Sequence, residues 1–286
     1  MSPTAAIDLG GTRLRAALVD GARLLARAET ATPRSQGAEA WLDAMAALVR
    51  PWAGTARALG VALTGIVPGG RWSALNPLVL PVPDGLPVET LLAARTGLAT
   101  RALNDAQAAA WGEHRHGAGR GAADILFITV STGVGGGLVQ GGRLVIGQGG
   151  KAGSIGHVVV DPAGPVGGSG RAGNLEAIAS ATAVAAAAGA PAEAVVARAE
   201  AGDLAMAALL DRSAAALAQA IGDTVALCDV TLVVIGGGLG LATGYLARVE
   251  RQVAALPTVF RPRLVPAALG GDAGLIGAAD WARAGC

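Results

Sequence analysis

Two stretches of the sequence combine a predicted buried strand with a turn that could hold phosphate. Residues 5–9 are apolar and run into Gly10-Gly11-Thr12, while residues 125–130 run into Ser131-Thr132-Gly133 and then Gly135-Gly136-Gly137. Because glycine has no Cβ, backbone N–H groups in such a turn can approach an anion closely. An isolated glycine-rich turn is more often only a turn. Two copies in one chain instead predict two related lobes that bind one nucleotide.

A polar pair with a carboxylate follows another predicted strand. Residues 100–103 lead into Asn104-Asp105, and a predicted helix begins at Ala106. Asp105 is placed to cap that helix, which is the common role of an aspartate between a strand and a helix. The residues alone favour capping, and a catalytic role would be compatible with it.

Strands and helices alternate along the chain, which predicts an α/β protein with helix-covered sheets. A proline-rich stretch after Asn76 and a glycine-rich stretch over residues 162–173 are predicted loops, and residues 272–278 are predicted as a loop that enters the last helix. The further predicted strands are residues 14–19, 59–63, 144–146 and 231–235, and the predicted helices cover residues 37–52, 88–97, 106–113, 175–201, 204–227 and 242–256.

The composition excludes several classes of function. The net charge is +1 with interspersed charges, so no basic surface for nucleic acid is indicated. No uninterrupted apolar run approaches the roughly 20 residues that span a bilayer, and the N-terminus has no leader pattern. Cys228 and Cys286 lie far apart, so neither a disulfide nor a cysteine metal site is expected. A soluble cytoplasmic protein that does not bind membranes is predicted.

The ordered set of motifs resembles the ROK family of bacterial sugar kinases and repressors from residue 5 to about residue 282. Asp8-Leu9-Gly10-Gly11-Thr12 and residues 132–137 resemble the two phosphate motifs of the family, and Asn104-Asp105 resembles its catalytic pair. Gly156-His157 and Leu175-Glu176 match its sugar-binding positions. Each motif alone is weak, but the whole ordered set is specific.

The resemblance implies an actin-like ATPase fold with duplicated RNase H-like lobes and a nucleotide and sugar cleft between them. The expected lobes are residues 1–106, completed by the C-terminal helix 273–286, and residues 107–272. A homodimer is also expected. ATP and Mg²⁺ would be the cofactors and a small sugar the partner.

The family motifs also assign expected roles to individual residues of this chain. Asp105 would be the catalytic base, and Asp8 would orient Mg²⁺. The expected sugar contacts are Gly65, Asn76, Asn104, Asp105, His157 and Glu176, and the expected ATP and phosphate contacts are Asp8, Gly10, Gly11, Thr12, Thr132, Gly133 and Gly237.

Longer runs within the family, such as residues 104–111 and 127–137, are most similar to N-acetylmannosamine kinases. This similarity implies phosphorylation of the 6-hydroxyl of N-acetylmannosamine in sialic acid catabolism. Glucokinase or another hexose or N-acetylhexosamine kinase is the alternative. A sugar-responsive repressor is a weaker alternative, because family repressors carry a helix-turn-helix domain ahead of the first phosphate motif, which begins here at about residue 5.

The chain departs from the family pattern at two places. The cysteine-rich zinc loop of the family falls on residues 167–174, where all three cysteines are absent. His157 alone cannot fill a tetrahedral zinc site, so no structural zinc is expected, and Ser169 and Asn174 would hold the loop by hydrogen bonds. Ser154 stands where many members have a sugar-binding glutamate. Its short side chain is expected to leave room for the N-acetyl group.

Overall fold

The structure is a computed structural model, which describes residues 2–77 and 79–285. The strands in this part of the chain are β1 (Thr4–Leu9), β2 (Arg13–Asp20), β3 (Arg23–Ala31), β4 (Leu59–Leu63), β5 (Thr100–Asn104), β6 (Ile125–Val130), β7 (Val134–Gln140), β8 (Arg143–Val145), β9 (Leu232–Gly236) and β10 (Arg263–Pro266). The helices are α1 (Gly37–Val49), α2 (Val88–Thr96), α3 (Asp105–His116), α4 (Leu175–Ala179), α5 (Ala181–Ala188), α6 (Ala192–Glu200), α7 (Leu204–Cys228), α8 (Tyr245–Val253) and α9 (Ala273–Ala284).

The chain divides into two compact units. Unit 1 comprises Met1–Arg120, Leu144–Ala152 and Gly271–Cys286, and unit 2 comprises Gly121–Arg143 and Gly153–Gly270. The sequence-based division differs from this one, since it assigned residues 107–120 to the second lobe. In the structure α3 packs along α9, so both helices belong to unit 1.

The sheet of unit 1 has the strand order β3-β2-β1-β4-β5. β1 is antiparallel to β2 and parallel to β4, which is in turn parallel to β5. Leu9, Leu63 and Asn104 lie in register at the carboxyl ends of the three parallel strands. The segments that follow these strands therefore emerge at one edge of the sheet, where ligands bind in open α/β sheets.

One face of this sheet carries the large apolar core of unit 1. Val61 and Leu63 of β4 belong to a buried cluster that includes Trp41 of α1 and Trp72, whose ring centroids are 5.8 Å apart. The predicted amphipathic helix over residues 37–52 is confirmed, because α1 buries Trp41 and three further apolar side chains. Burial of such side chains stabilises a fold by about 1.5–3 kcal/mol each.

The opposite face of the sheet is lined by small residues. Ala62 of β4 packs in a second cluster with Ala108 of α3 and Ala278 of α9. A Cβ added at Gly277 would lie 1.7 Å from the Ala108 carbonyl oxygen, and one at Gly60 would lie 2.0 Å from the Ala278 carbonyl oxygen. The backbones of α9, α3 and β4 thus approach each other as closely as glycine allows.

Unit 2 repeats the topology of unit 1. The second sheet has the order β8-β7-β6-β9-β10, and its strands β6, β7, β9 and β10 lie in unit 2. β6 is antiparallel to β7 and parallel to β9, and β9 is parallel to β10. β6 and β7 therefore correspond to β1 and β2, and the two glycine-containing turns occupy equivalent places. The predicted duplicated α/β fold of the actin-like ATPase type is confirmed.

The long helix α7 is the one described helix whose length and composition would allow it to cross a membrane. Half of its most apolar window is buried inside the structure, which is typical of a core helix. It packs against α8, α6 and α4. Its buried Ser213 hydroxyl lies 2.6 Å from the Tyr245 hydroxyl of α8.

Several elements differ from those predicted from the sequence. β3 and β10 were not predicted, and both are sheet edges with largely exposed or polar residues. Residues 175–201 form three helices, because Ser180 caps α5, Gly189 in the left-handed conformation ends it, and Pro191 precedes α6. The predicted loop over residues 272–278 is wrong, because α9 already begins at Ala273.

The prediction that Gly135, Gly136 and Gly137 form the second turn is also wrong. These glycines lie inside β7, and the turn consists of residues 131–133. Glycine in a strand commonly marks a close approach of another backbone. A Cβ at Gly136 would lie 2.6 Å from the Gly153 carbonyl oxygen, so packing explains this glycine. Cys228 is a free cysteine, and Cys286 lies outside the described residues.

Candidate functional site

Asp105 lies directly after β5, where its backbone and side-chain surroundings hold it in one place. Its Oδ1 atom accepts hydrogen bonds from the Ala106 N–H at 2.8 Å and from the Asn104 side-chain amide at 3.0 Å. The backbone N–H of Asp105 itself also donates to the carboxylate. Burial and the nearby Asp8 charge raise the pKa of Asp105 to about 7. The carboxyl group is therefore both fixed and suited to accept a proton near neutral pH.

Asn104, rather than Asp105, caps helix α3. Its side-chain oxygen accepts from the N–H groups of Ala106 and Gln107, at 3.0 Å and 3.1 Å. Its amide group also donates to the Gly65 carbonyl oxygen at 2.8 Å. The residues alone had favoured Asp105 as the helix cap, but Asn104 has this role. Asn104 also connects the segment after β4 to the segment after β5.

Asp8 lies at the end of β1 and is mostly buried. Its carboxylate forms an ion pair with Arg15 of β2, whose other terminal nitrogen donates to the Gly271 carbonyl oxygen at 3.0 Å. Burial raises the pKa of Asp8 above its usual value, although the Arg15 charge opposes this effect. Arg15 could not be identified from the sequence, because its contact with Asp8 depends on the register of β1 and β2.

Asp8 and Asp105 lie on the same side of unit 1. A Cβ added at Gly274, in the first turn of α9, would be 3.5 Å from Asp8 Oδ2 and 3.9 Å from the Asp105 carbonyl oxygen. Both residues follow or end parallel strands whose carboxyl ends meet at one sheet edge. The structure thus brings together the predicted base, the predicted magnesium-orienting residue and the first glycine-rich turn.

In the first turn, Gly10-Gly11-Thr12, two of the three predicted N–H groups are available to a phosphate. The Gly10 N–H donates to the Arg13 carbonyl oxygen at 3.0 Å, so it closes the turn instead of facing outward. In the described residues no acceptor is found for the N–H groups of Gly11 and Thr12. These two donors fit an anion, and the resulting cradle lies directly after Asp8.

Two predicted sugar contacts of unit 1, Gly65 and Asn76, lie in the segment after β4. Gly65 has a φ of +102°, and a Cβ there would lie 2.4 Å from the Ser73 carbonyl oxygen, so only glycine fits this turn. The Trp72 indole N–H donates to the Thr64 carbonyl oxygen at 2.7 Å and fixes the same turn from the core side. Asn76 lies farther along this segment and is partly buried.

The second turn, Ser131-Thr132-Gly133, lies in unit 2 and resembles the first in its hydrogen bonding. The Ser131 N–H donates to the Gly133 carbonyl oxygen at 2.9 Å and closes the turn. For the N–H groups of Thr132 and Gly133 there is again no acceptor among the described residues. Unit 2 therefore has its own candidate phosphate cradle.

Glu176 and Gly156, the residue before His157, both lie against Val134, the first residue of β7. Glu176, in the first turn of α4, accepts a hydrogen bond at 3.1 Å from the Val134 N–H. Gly156 lies so close that a Cβ there would be 1.9 Å from the Val134 carbonyl oxygen, which brings His157 to the same place. His157 Nδ1 is buried and has no hydrogen-bond partner in the described chain. A ligand hydroxyl could satisfy it.

The segment between His157 and Glu176 is held by hydrogen bonds. Asn174 is fully buried, caps α4 through the Ala177 N–H at 2.9 Å, and donates to the Ser169 hydroxyl at 3.4 Å. Backbone hydrogen bonds to the Gly173 carbonyl oxygen from Val160 and Asp161 close the base of the loop. The side chains that hold this loop are an amide and a hydroxyl, whereas structural zinc sites use Cys and His ligands, so this donor set does not fit zinc.

Gly237 follows β9 and has a clear packing role. Its φ is +87°, and a Cβ there would lie 2.4 Å from the Val130 carbonyl oxygen. Glycine is therefore required for the end of β9 to pack on the end of β6. A contact of Gly237 with adenosine stays a prediction.

The chain is similar to known proteins over almost its whole length. The model of the ROK family matches residues 4–284. The chain is 49% identical over 283 residues to an N-acetylmannosamine kinase of Escherichia coli, which covers 96% of this chain and 97% of the relative. A Shigella flexneri N-acetylmannosamine kinase is 49% identical over 281 residues, with 96% of each chain covered.

Two solved structures of sugar kinases are also similar over the whole chain. A ROK hexokinase from Thermus thermophilus superposes with a TM-score of 0.85 at 32% identity and covers 99% of this chain and 98% of its own. A ROK family glucokinase from Streptomyces griseus, in complex with glucose and AMPPNP, gives a TM-score of 0.83 at 32% identity over 99% of both chains. The chain belongs to the ROK family.

Proposed function

We propose that this protein is an N-acetylmannosamine kinase, which transfers the γ-phosphoryl group of ATP to the sugar 6-hydroxyl. The observation that carries the proposal is the position of Asp105, fixed beside the first phosphate cradle with its pKa raised to about 7. The activity named for the relatives at 49% identity supports the choice of sugar. The roles below are part of the same proposal.

Asp105 accepts the proton of the sugar 6-hydroxyl, most directly at Oδ2. As the proton moves to Asp105, the sugar oxygen forms a bond to the γ-phosphorus, and the bond between that phosphorus and the β–γ bridging oxygen breaks. ADP leaves with the electron pair of the broken bond. Asn104 keeps Oδ1 occupied and so directs Oδ2 toward the substrate.

The two turns bind the phosphates of ATP. In unit 1 the N–H groups of Gly11 and Thr12 are the donors, while Gly10 shapes the turn. In unit 2 the donors are the N–H groups of Thr132 and Gly133. Mg²⁺, when bound, would neutralise charge on the β- and γ-phosphates, and Asp8 would hold it through water, because Mg²⁺ keeps several waters and uses few carboxylates.

The residues assigned to the sugar hydroxyls are those that the family motifs imply. Gly65, Asn76 and Asn104 serve in unit 1, and His157 and Glu176 serve in unit 2. The buried, unpartnered Nδ1 of His157 supports its role as a hydrogen-bonding group for ligand. Gly237 contacts the adenosine part of ATP.

The proposal includes a place for the enzyme in the cell. It would act in sialic acid catabolism as a soluble cytoplasmic homodimer. The support is the resemblance of the motifs to those of the family and the core position of α7, its longest apolar helix.

The sugar assignment is tested by ATP consumption with Mg²⁺ on N-acetylmannosamine, N-acetylglucosamine, glucose and mannose. We expect kcat/KM for N-acetylmannosamine to exceed that for each other sugar by about tenfold or more, the discrimination that differently fitting substituents commonly give. Highest turnover on glucose would instead favour a glucokinase, which the structural similarity to the Streptomyces griseus enzyme makes the second candidate. Turnover on no sugar would contradict the kinase proposal.

Ser154 provides a test of how N-acetylmannosamine is preferred. This residue lies just before His157, and its carbonyl oxygen accepts the His157 N–H at 3.1 Å. Ser154→Glu should lower the preference for N-acetylmannosamine over glucose, because the longer side chain would fill space for the N-acetyl group. An unchanged ratio of the two kcat/KM values would show that Ser154 does not set the preference.

The raised pKa of Asp105 predicts a pH dependence. A carboxyl with a pKa of about 7 is protonated at lower pH, and only its ionised form accepts a proton. We therefore expect kcat/KM for the sugar to fall as pH decreases below about 7, by roughly tenfold per unit. A profile measured from pH 5 to 9 that stays level down to pH 5 would contradict the assigned base or its raised pKa.

The loop over residues 158–174 predicts a zinc-free enzyme. Hydrogen bonds of Asn174 and of the backbone close this loop. Treatment with a metal chelator, followed by addition of Mg²⁺, should therefore leave the loop ordered and the activity unchanged. Elemental analysis of purified protein should find far less than one zinc per chain. A stoichiometric zinc that is lost together with activity would contradict this prediction.

A further inference from the structure

The carbonyl oxygens of the two phosphate turns are held by hydrogen bonds from the scaffold. In unit 1, Thr32 follows β3 and is 7% exposed. Its hydroxyl donates to the Gly10 carbonyl oxygen at 2.8 Å, and its N–H donates to the Thr12 carbonyl oxygen at 3.1 Å. β3 runs beside β2, with Ala31 paired to Arg13, and this pairing places Thr32 next to the turn.

A different element holds the turn of unit 2, through other carbonyl oxygens of the turn. Thr182, in the first turn of α5, donates its hydroxyl to the Thr132 carbonyl oxygen at 2.7 Å. The Ala181 N–H donates to the Ser131 carbonyl oxygen at 2.8 Å. A strand end in one unit and a helix start in the other therefore hold equivalent turns from behind.

Peptide geometry makes these contacts directional. The carbonyl oxygen of one residue and the N–H of the next belong to one rigid plane, and in a trans peptide they point in opposite directions. The structure has no cis peptide bond in its described residues. Fixing the Gly10 oxygen therefore directs the Gly11 N–H away from Thr32, and fixing the Thr132 oxygen directs the Gly133 N–H away from Thr182.

The directed N–H groups are among those without an acceptor in the described chain. A turn peptide free to rotate could instead present its carbonyl oxygen, which would repel a phosphate. We propose that Thr32 and Thr182 are positioning residues, whose hydroxyls keep the Gly11 and Gly133 N–H groups pointed at the phosphates of a nucleoside triphosphate. This inference rests on the proposed kinase function, since it assigns the turns to ATP.

The test replaces each hydroxyl by a methyl group of similar size. Thr32→Val and Thr182→Val should each raise the Kd for AMPPNP with Mg²⁺, measured by calorimetry, by roughly tenfold, as for the loss of one hydrogen bond that orients a binding group. KM for ATP should rise in parallel while KM for the sugar changes little. Thr32→Ser and Thr182→Ser keep the hydroxyl and should restore nucleotide binding.

Matched controls separate this effect from a general loss of stability. Thr96→Val in α2 and Thr224→Val in α7 also remove a hydroxyl that donates to a backbone oxygen at 2.8 Å, but away from the turns. They should leave AMPPNP binding unchanged. Should the buried Thr32→Val fail to fold, Thr182→Val carries the test, because Thr182 is exposed.

The outcomes distinguish this inference from the proposed function. Wild-type protein that binds no AMPPNP would overturn both. If the wild-type protein and both valine variants bind AMPPNP with the same Kd, only the roles of Thr32 and Thr182 are overturned. An equal rise in the KM values of sugar and ATP would assign the threonines to general stability and overturn the inference as well.

Discussion

Asp105→Asn should lower kcat for phosphorylation of N-acetylmannosamine by about a thousandfold, within the range that a general base contributes. The amide has the size of the carboxylate and can still accept the hydrogen bonds that Ala106 and Asn104 donate to Oδ1. It cannot accept the proton of the 6-hydroxyl. The fold and the KM for ATP should therefore change little, and the loss should appear in kcat, measured with saturating substrates.

Asp203→Asn is the matched control for this substitution. Asp203 also precedes a helix, where it caps α7 through the N–H groups of Ala205 and Met206. Asparagine caps helices about as well as aspartate, so this variant should retain wild-type kcat. A kcat for Asp105→Asn within about tenfold of the wild-type value, in folded protein, would exclude Asp105 as the base.

Gly277→Ala should produce the largest loss of stability among single-methyl substitutions in unit 1. The new Cβ would lie 1.7 Å from the Ala108 carbonyl oxygen and 2.7 Å from the Gly112 nitrogen, both of them backbone atoms of α3. α9 must then move away from α3, which strains a closely packed core and costs about 3 kcal/mol or more. Thermal unfolding should show a Tm lower by roughly 10 °C.

Gly274→Ala is the matched control in the same helix. Its Cβ would be 3.5 Å from the nearest atom, which is an ordinary contact. Alanine favours a helix over glycine by up to about 1 kcal/mol, so the Tm should stay equal or rise. Equal Tm values for the Gly277→Ala variant and the wild-type protein would contradict the close packing of α9 on α3.

Strands made of consecutive buried residues, and helices with a clear end signal, could be predicted from the sequence. The run Leu59–Leu63 is apolar throughout and forms the fully buried β4, and Gly97 ends α2 in the left-handed conformation, as expected. β3 was not predicted, because its apolar residues are mostly small alanines between charged residues, and it lies at a sheet edge where β2 is its one paired strand.

In the candidate site, too, residues that depend on tertiary contacts could not be predicted. Asp105 and both turns could be identified from their sequence surroundings, since each follows a strand. Arg15, Thr32 and Thr182 could not, because each contacts the site through strand register or helix packing that spacing alone does not reveal. Sequence reasoning also assigned Gly135–Gly137 to a turn, where tertiary packing overrides the weak strand preference of glycine.

The central claim is most directly tested by identifying the product that the purified enzyme forms from N-acetylmannosamine, ATP and Mg²⁺. We predict one phosphate per sugar, together with an equal amount of ADP. The ³¹P–¹H coupling in NMR spectra should show that the phosphate is attached to O6. The Asp105→Asn variant should form almost none in the same time. ADP without a phosphorylated sugar, or phosphate on any other hydroxyl, would contradict the account.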